Sequence, residues 1–236
     1  MAKILPTSTP NDKTTSKHED RNLLLLEDCS HAHGARYDGR CVGGFGAAGA
    51  FSLGVVKNLA AFGDAGMVAT DDGILAETVK LLGTHGQVKK NEHSIFGGNS
   101  RLDELQAAWL RVKLRYLDAR NTRRAAIAAY YSERIRGRAV PPPTDPRRTH
   151  VYHQYVLRTA RREALQRHLA SLEIDTGIHY PQPIHRQTAW RDRFGEPTAL
   201  PHAEQVAREI LSLPVHADLT DAEVERVADG VRRFFD

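Results

Sequence analysis

Short apolar runs separated by glycine-rich segments characterise residues 23–70. Four leucines at positions 23–26 precede Glu27 and Asp28, and further apolar runs cover residues 48–53 and 67–70. An apolar run without polar alternation is typical of a strand that is buried on both faces of a parallel sheet. We therefore predict three strands in this part of the chain, the first of them with polar side chains at its carboxyl end.

Helical periodicity replaces these runs after Asp72, a residue type that favours the N-cap position of a helix. From Arg101 onwards apolar residues recur at steps of three and four, which predicts a long helical region. Pro141–Pro143 ends this region, because proline cannot continue a helix. The predicted apolar faces contain Leu75, Val79 and Leu82 in the first helix, and Leu102, Leu105, Trp109, Val112, Tyr116, Ile127, Tyr130 and Ile135 in the long region.

A smaller α+β unit is predicted beyond the prolines, with strands at residues 151–157 and 174–180 and a helix at 163–172. Thr220 and Glu223 have the spacing of a capping box, which predicts a final helix with valines on one face. The polar residues 1–22 have no apolar period, and we expect a disordered leader there. The sequence thus predicts an α/β fold in three parts: the leader at 1–22, a large domain with a helical connector at 23–140, and a small α+β domain at 141–236.

Composition excludes several classes of protein. The chain has 33 lysines and arginines against 29 aspartates and glutamates, and the two signs are mixed along its 236 residues, which argues against a nucleic-acid-binding surface. No apolar run approaches the roughly 20 residues of a membrane-spanning helix, and the first residues contain no secretory apolar segment. Cys29 and Cys41 are too few for a disulfide framework. We therefore expect a cytoplasmic protein that binds neither nucleic acid nor membrane.

Three polar residues at predicted strand ends suggest one site. Lys57 and Ser52 follow or end the second strand, and Asp28 follows the first. A desolvated lysine amine is a nucleophile towards aldehydes, a carboxylate can hold a protonated heterocyclic nitrogen, and a hydroxyl can bind phosphate, which together indicate a pyridoxal 5'-phosphate site. Ordinary explanations stay open, because Lys57 can extend to water and Asp28 can cap a turn.

Histidine pairs are the other candidate chemistry in the sequence. His31 and His33 are two residues apart, and His150 and His153 are three apart. Neither pair is accompanied by cysteines or carboxylates at a zinc-ligand spacing. We therefore expect no metal site.

Several longer segments follow one another in a fixed order. They are Glu27–Ala35 (EDCSHAHGA), Phe51–Leu59 (FSLGVVKNL), Gly63–Asp72 (GDAGMVATDD), His85–Gly86, Gly98–Ala108 (GNSRLDELQAA) and Ile178–His185 (IHYPQPIH). These segments resemble the ordered motifs of the DegT/DnrJ/EryC1/StrS aminotransferase family. The resemblance extends from about Leu24 to the C-terminus.

The resemblance implies a fold-type I pyridoxal-phosphate enzyme, with a mostly parallel sheet in its large domain and a small α+β domain. Members of the family transfer an amino group from glutamate or glutamine to a keto sugar on a nucleotide carrier, or to a cyclitol, in the biosynthesis of sugars, antibiotics and surface polysaccharides. A homodimer is also implied. Lys57 argues against related dehydratases, which have histidine in its place.

The resemblance also implies roles for individual residues. Lys57 would bond covalently to the cofactor and move a proton during the transfer, and Asp28 would hold the ring nitrogen. Ser52 would bind the phosphate, and His31 would contact the ring or its 3-oxygen. The remaining implied residues are Asn99, which reaches the phosphate of a neighbouring subunit, Arg101, which either orients that loop or forms a structural ion pair, and His179, Tyr180 and His185, which either line the substrate pocket or have ordinary packing roles.

The beginning of the chain departs from the family pattern. Members have further strands, a phosphate-binding loop and a ring-stacking aromatic residue before the aspartate strand, whereas residues 1–22 contain no Gly, Phe, Tyr or Trp. We therefore expect a large domain that lacks its N-terminal half. Two hypotheses follow: an aminotransferase that acts by itself or with a complementing N-terminal half, or alternatively a truncated non-catalytic remnant or split-enzyme half that acts only by dimerising with a complete partner.

Overall fold

The computed structural model describes residues 23–236, and the predicted leader at 1–22 lies outside them. Contacts between residues divide the chain into two compact units. Of the described residues, the first unit contains those up to Asn121 together with Asp145–Val151, and the second contains Thr122–Thr144 and Tyr152–Asp236. The chain therefore passes between the units three times. The first crossing lies between Asn121 and Thr122, inside the helix at Leu117–Ile135, whereas the sequence predicts a boundary at residue 140.

Ten strands and seven α-helices are present in the described chain. The strands are β1 (Leu26–Asp28), β2 (Arg36–Tyr37), β3 (Arg40–Cys41), β4 (Ala48–Ser52), β5 (Gly66–Ala69), β6 (Gln87–Lys89), β7 (Glu92–His93), β8 (Arg148–Thr149), β9 (Tyr155–Arg158) and β10 (Ile210–Leu213). The helices are α1 (Gly73–Gly83), α2 (Glu104–Leu114), α3 (Leu117–Ile135), α4 (Arg162–Ser171), α5 (Thr188–Phe194), α6 (Pro201–Glu209) and α7 (Asp221–Phe235), with one 3₁₀ turn at Ile184–Arg186. None of the helices within residues 23–236 is long and apolar enough to cross a membrane.

The main sheet of the first unit contains β1, β4 and β5. β4 lies in the centre and pairs in parallel with β1 and antiparallel with β5. The predicted strands at residues 48–53 and 67–70 are confirmed by β4 and β5. A second, antiparallel sheet joins β3, β2 and β8, which explains why residues 145–151 belong to this unit. β6 and β7 form a separate hairpin.

β1 differs from its prediction in both position and burial. It begins at Leu26 rather than at Leu23, and the exposed fractions of Leu23, Leu24 and Leu26 are 56%, 84% and 70%. The prediction of a strand buried on both faces is therefore wrong for the part of the chain that the structure describes. Within that part β1 is an edge strand, since it pairs only with β4.

The helices of the first unit match the sequence pattern only in part. The carboxylate of Asp72 accepts hydrogen bonds from two backbone N–H groups and caps α1, as predicted. The long helical region is interrupted between α2 and α3, and its predicted apolar face is wrong in α2, where Leu105 is 79% exposed. Leu110 is buried instead, because it packs with the residues that follow β4. That core contains Leu53, Leu59, Ala61, Leu110 and Leu117.

The second unit packs α4, α7 and most of α3 around the antiparallel pair β9 and β10. The capping box of α7 is present, with Thr220 Oγ1 and the Glu223 carboxylate each accepting a hydrogen bond from the backbone N–H of the other residue. The predicted helix at 163–172 is confirmed by α4. The core of this unit includes Ile127, Tyr131, Ile135, Tyr155, Leu157, Leu165, Leu169, Leu211, Val224, Val227 and Val231.

Two strand predictions in this unit need correction. The strand predicted at 151–157 begins only at Tyr155, and the strand predicted at 174–180 is wrong. In that segment only Gly177 forms a bridge, to Ser212 of β10. Pro181 and Pro183 directly follow this segment and cannot extend the bridge at Gly177 into a ladder on that side, because proline has no N–H to donate. β10, α5 and α6 were not predicted from the sequence, although α6 begins at Pro201, a residue type that suits the first turn of a helix.

Candidate active site

The pairing of β1 with β4 places two predicted site residues on one face of the sheet. Asp28 is paired with Ala50 in the parallel register, and Ser52 lies two residues further along β4. Side chains alternate across a strand, so Asp28, Ala50 and Ser52 point to the same side. Ala50 is small and exposed, and Ser52 is half-buried. An exposed part of the sheet surface, at Ala50, therefore lies between the Asp28 carboxylate and the Ser52 hydroxyl.

Local hydrogen bonds stabilise the charged form of Asp28. Its Oδ1 accepts a bond from the Ser30 hydroxyl at 2.5 Å and one from the Ser30 backbone N–H at 3.0 Å. These bonds, with smaller contributions from the positive charges of His31 and Lys57, hold the pKa of Asp28 below its ordinary value. An exposed carboxylate of this kind is ionised at neutral pH and can accept a hydrogen bond from a protonated ring nitrogen.

Lys57 lies in the turn that follows β4. Its backbone N–H donates to the carbonyl of Gly54 at 2.9 Å, which closes the turn. Val55 and Val56 before it are exposed, Lys57 is half-buried, and Asn58 after it is buried. The chain therefore enters the interior of the unit directly after the lysine. The side chain lies near enough to Asp28 for its charge to influence the pKa of that carboxyl.

Glu27 lies on the opposite face of β1 and binds a glycine-rich loop. Its carboxylate accepts hydrogen bonds from the backbone N–H groups of Gly43 at 2.6 Å, Phe45 at 2.6 Å and Gly46 at 3.0 Å. Adjacent residues of a strand face opposite ways, so an anchor for Glu27 on one side directs Asp28 to the other.

Asn99 and His31 are exposed members of the predicted site. Asn99 Oδ1 accepts a hydrogen bond from Arg101 Nε at 3.0 Å, and Asn99 also forms a backbone bridge with Thr84. Of the two roles considered for Arg101, this bond supports the orientation of Asn99. His31 lies close enough to Asp28 to contribute to its lowered pKa.

His179, Tyr180 and His185 belong to the second unit. His179 Nδ1 lies 2.9 Å from the Ser212 hydroxyl, and Tyr180 is 66% exposed. His185 is buried, and its Nε2 lies 3.0 Å from Glu204 Oε1. His185 is thus held by an acidic partner, whereas Tyr180 is accessible.

Glu204 is the centre of a small polar cluster in that unit. Its Oε1 accepts hydrogen bonds from His185, from the Arg186 guanidinium at 2.8 Å and from the backbone N–H of Leu200 at 3.2 Å. These bonds, those from His185 and Arg186 first, lower the pKa of Glu204 to about 2. The carboxylate therefore remains charged through the whole neutral and mildly acidic range.

Comparison with known proteins shows the family to which the motifs of this chain belong. Residues 12–232 match the model of the DegT/DnrJ/EryC1/StrS aminotransferase family. The chain belongs to this family. The fold predicted from the resemblance is confirmed by solved structures of DegT/DnrJ/EryC1/StrS aminotransferases, which share the α/β architecture.

Two curated DegT-family relatives are closely similar. The dTDP-3-amino-3,6-dideoxy-alpha-D-galactopyranose transaminase of Aneurinibacillus thermoaerophilus is 46% identical over 214 residues, which are 90% of this chain and 58% of the relative. The dTDP-3-amino-3,4,6-trideoxy-alpha-D-glucose transaminase of Streptomyces venezuelae is 43% identical over 218 residues, with 90% and 56% covered. The X-ray structure of S. venezuelae DesV in complex with a ketimine intermediate superimposes with a TM-score of 0.90 at 41% identity, covering 96% of this chain and 62% of that chain. The chain thus spans little more than half the length of its curated relatives.

Within this DegT-family member, Asp28, Ser52 and Lys57 lie together at one end of the main sheet. The residues that fix the backbone next to Asp28 and Lys57 were not identified from the sequence. Glu27 precedes Asp28, and Asn58 follows Lys57, so each is adjacent to a predicted residue, but nothing in the pattern shows what its side chain binds. Those partners are set by tertiary contacts, which a single sequence does not display.

Proposed function

We propose that this chain is part of a pyridoxal-phosphate-dependent aminotransferase that transfers an amino group from glutamate or glutamine to a keto sugar on a nucleotide carrier, or to a cyclitol. The observation that supports this most is the common face of Asp28 and Ser52, with Lys57 in the turn that follows. The names of two relatives, both dTDP-sugar transaminases, support the same class of reaction. Since the chain spans little more than half their length, the activity of the whole protein is part of the proposal.

The donor set on this face fits pyridoxal phosphate. The cofactor has a ring nitrogen, a phosphate and an aldehyde, and the chain offers a carboxylate, a hydroxyl and an amine. Ala50 lies between Asp28 and Ser52 with an exposed methyl group, so a flat ring can approach the strands there. His31 is exposed beside Asp28 and is suited to contact the edge of such a ring.

Asp28 would maintain the charge of the ring. The cofactor, when bound, supplies an electron sink that stabilises negative charge on the carbon being deprotonated, and a protonated ring nitrogen makes that sink effective. Because its pKa is held low by Ser30, Asp28 is an anion at neutral pH and favours the proton on the ring nitrogen. Ser52 would donate its hydroxyl hydrogen to a phosphate oxygen.

Lys57 would both hold the cofactor and move a proton. Its amine is the nucleophile on this face that can bond covalently to the aldehyde carbon. Once displaced by the amino donor, the Lys57 Nζ lone pair would remove the proton from the α-carbon of the donor and deliver it to the carbon on the other side of the transferred nitrogen. In the net reaction the donor loses its amino group and gains a carbonyl oxygen, while the acceptor undergoes the reverse exchange.

The remaining parts of the proposal concern partners. Asn99, oriented by Arg101, would reach the phosphate in a neighbouring subunit, so we propose a homodimer or a complementing N-terminal half as the active assembly. Cys29 and Cys41 are both free, which suits the cytoplasm. We propose that substrate contacts come from His179, Tyr180 and His185.

Cofactor binding is the direct test of this proposal. The purified chain is titrated with pyridoxal phosphate, and a band at about 400–430 nm is expected. Borohydride reduction followed by peptide mapping should place the pyridoxyl group on Lys57. Lys57→Ala should abolish the band. Lys80→Ala, which removes an exposed lysine of α1, is the matched control and should retain it. The absence of the band both in the chain alone and in the chain mixed with a complementing N-terminal half, or an equal band in Lys57→Ala, would refute the proposal.

A further inference from the structure

We propose that the side-chain amides of Asn58 and Asn121 are positioning residues for Lys57. They attach the turn that contains the lysine to the segment that follows Asp28. The inference rests on the proposed function, because it concerns the placement of the lysine that would bind the cofactor.

The two amides form the centre of a hydrogen-bond network within the first unit. Asn58 Nδ2 donates to Asn121 Oδ1 at 2.9 Å and to the carbonyl of Val151 at 2.9 Å. Asn121 Nδ2 donates in turn to the carbonyl of His33 at 2.8 Å. The network therefore connects the loop after β1, the turn after β4, the first part of α3 and the segment after β8.

Burial makes these bonds difficult to replace. Asn58 is 8% exposed and Asn121 is 9% exposed, so water has little access to their amides. A buried donor or acceptor that loses its partner retains the full penalty of desolvation. The arrangement with all three hydrogen bonds formed is therefore strongly preferred over shifted positions of the turn.

Gly34 shows that the chain accommodates this network. Its φ is +83°, a conformation that favours glycine, and a Cβ at this position would lie 2.9 Å from Asn121 Nδ2. A side chain at Gly34 would thus strain the backbone and displace the amide that binds the neighbouring carbonyl of His33. This contact explains why the Glu27–Ala35 motif has glycine at position 34.

The network acts on both ends of the candidate site. Asn58 directly follows Lys57, and His33 is in the same loop as Asp28 and Ser30. Since the turn before Lys57 is exposed, the buried amide after it is the nearest fixed point for the lysine. A displacement of about 1 Å in a catalytic group can reduce a rate about 100-fold. Fixing Asn58 against the loop after β1 therefore sets the separation of the amine from the Asp28 carboxylate.

Asn121→Leu in the full chain tests the inference with two measurements. The first is affinity for pyridoxal phosphate by absorbance titration, which should fall by about tenfold or more, as for the loss of one to two buried hydrogen bonds. The second needs no cofactor: acetic anhydride labelling of the Lys57 amine, followed by mass spectrometry and normalised to the exposed Lys90. Its rate should change by at least about threefold.

Thr70→Val is the matched control. Thr70 is buried, and its Oγ1 donates a partly buried hydrogen bond to the carbonyl of Ala47 at 2.6 Å, at the opposite end of β4 from Lys57. It should reduce stability without altering the labelling of Lys57 or the affinity. Gly34→Ala, which displaces the Asn121 amide from the other side, is the second variant if Asn121→Leu does not fold.

The inference is overturned if the network variant and Thr70→Val change affinity and labelling equally, or if the network variant changes neither. A parent chain that shows no Lys57-dependent band, either alone or with a complementing N-terminal half, contradicts the proposed function instead. In that case the labelling comparison still decides whether the amides position the lysine.

Discussion

Replacing Glu27 with glutamine tests whether a carboxylate holds the loop at residues 43–46. One carboxylate oxygen accepts hydrogen bonds from Phe45 and Gly46, and the other accepts one from Gly43 at 2.6 Å. Glutamine keeps one acceptor oxygen but places an amide N–H group opposite a backbone N–H. Hydrogen bonds to charged groups contribute about 1.5–3 kcal/mol each. Because Glu27 is half-buried, we expect a local loss near the lower end, about 2 kcal/mol.

The loop has little freedom to relax around the new side chain. A Cβ on Gly46 would lie 2.2 Å from the carbonyl oxygen of Leu25, and one on Gly49 would lie 2.5 Å from Gly43 Cα. Backbone therefore packs directly on backbone, and a shift of the loop would collide with β1 or β4. The full cost of the lost bond should appear in the measurement.

Amide hydrogen exchange measures this effect at the loop itself. A local loss of about 2 kcal/mol corresponds to exchange roughly 30-fold faster at Gly43, Phe45 and Gly46. Glu77→Gln is the matched control, because the exposed Glu77 pairs with Lys80 at 3.4 Å on the surface and should change stability by less than about 0.5 kcal/mol. If both variants exchange at the parental rate in the loop, the reasoning about Glu27 is refuted.

Three further predictions concern pKa values and helix capping. Ser30→Ala should raise the pKa of Asp28 towards its ordinary value, because the Ser30 hydroxyl is the largest cause of the lowering; an unchanged carboxyl titration by ¹³C NMR would contradict this. Glu204 has its pKa lowered to about 2 in the folded chain, so its charge stabilises the fold above its unfolded pKa of about 4.3, and this contribution disappears as the pH falls towards 2. Glu204→Gln should therefore lower the melting temperature at pH 7 but not near pH 2, and an equal decrease at both would oppose the prediction. Thr220→Ala should cost about 1 kcal/mol in urea denaturation, whereas Thr220→Ser should retain most of the cap, and equal losses would show that the hydroxyl is unimportant.

Local signals explain what could be predicted from the sequence. Asp72 and Thr220 were identifiable as caps, because capping depends on residues within a few positions of one another. The positions of Asp28 and Ser52 at strand ends followed from short apolar runs next to polar residues. The register that places both on one face was not available, since it depends on how the strands pair.

Tertiary contacts explain what could not be predicted. Leu105 and Leu110 are equally apolar, and only the packing of the segment after β4 decides that Leu110 is the buried one. The two-residue strands β2, β3 and β8 are too short to produce a periodic pattern. Asn121 lies in a helical region among charged residues, and its buried partner Asn58 is far away in sequence.

The division of the chain inside α3 constrains how the molecule can be dissected. Asn121 is the last residue of its unit before the crossing, and Asp145–Val151 returns to that unit later. No single cut in the backbone separates the two units without damage to one of them. A cut after Val151 keeps the first unit whole but removes residues 122–144 from the second, and a cut after Asn121 keeps the second unit whole but removes residues 145–151 from the first. Expression of the first unit without residues 122–144 would need residues 145–151 to be joined to Asn121 by an engineered connection. A protease that nicks one exposed loop should leave two pieces that stay associated, because both pieces contribute to at least one unit.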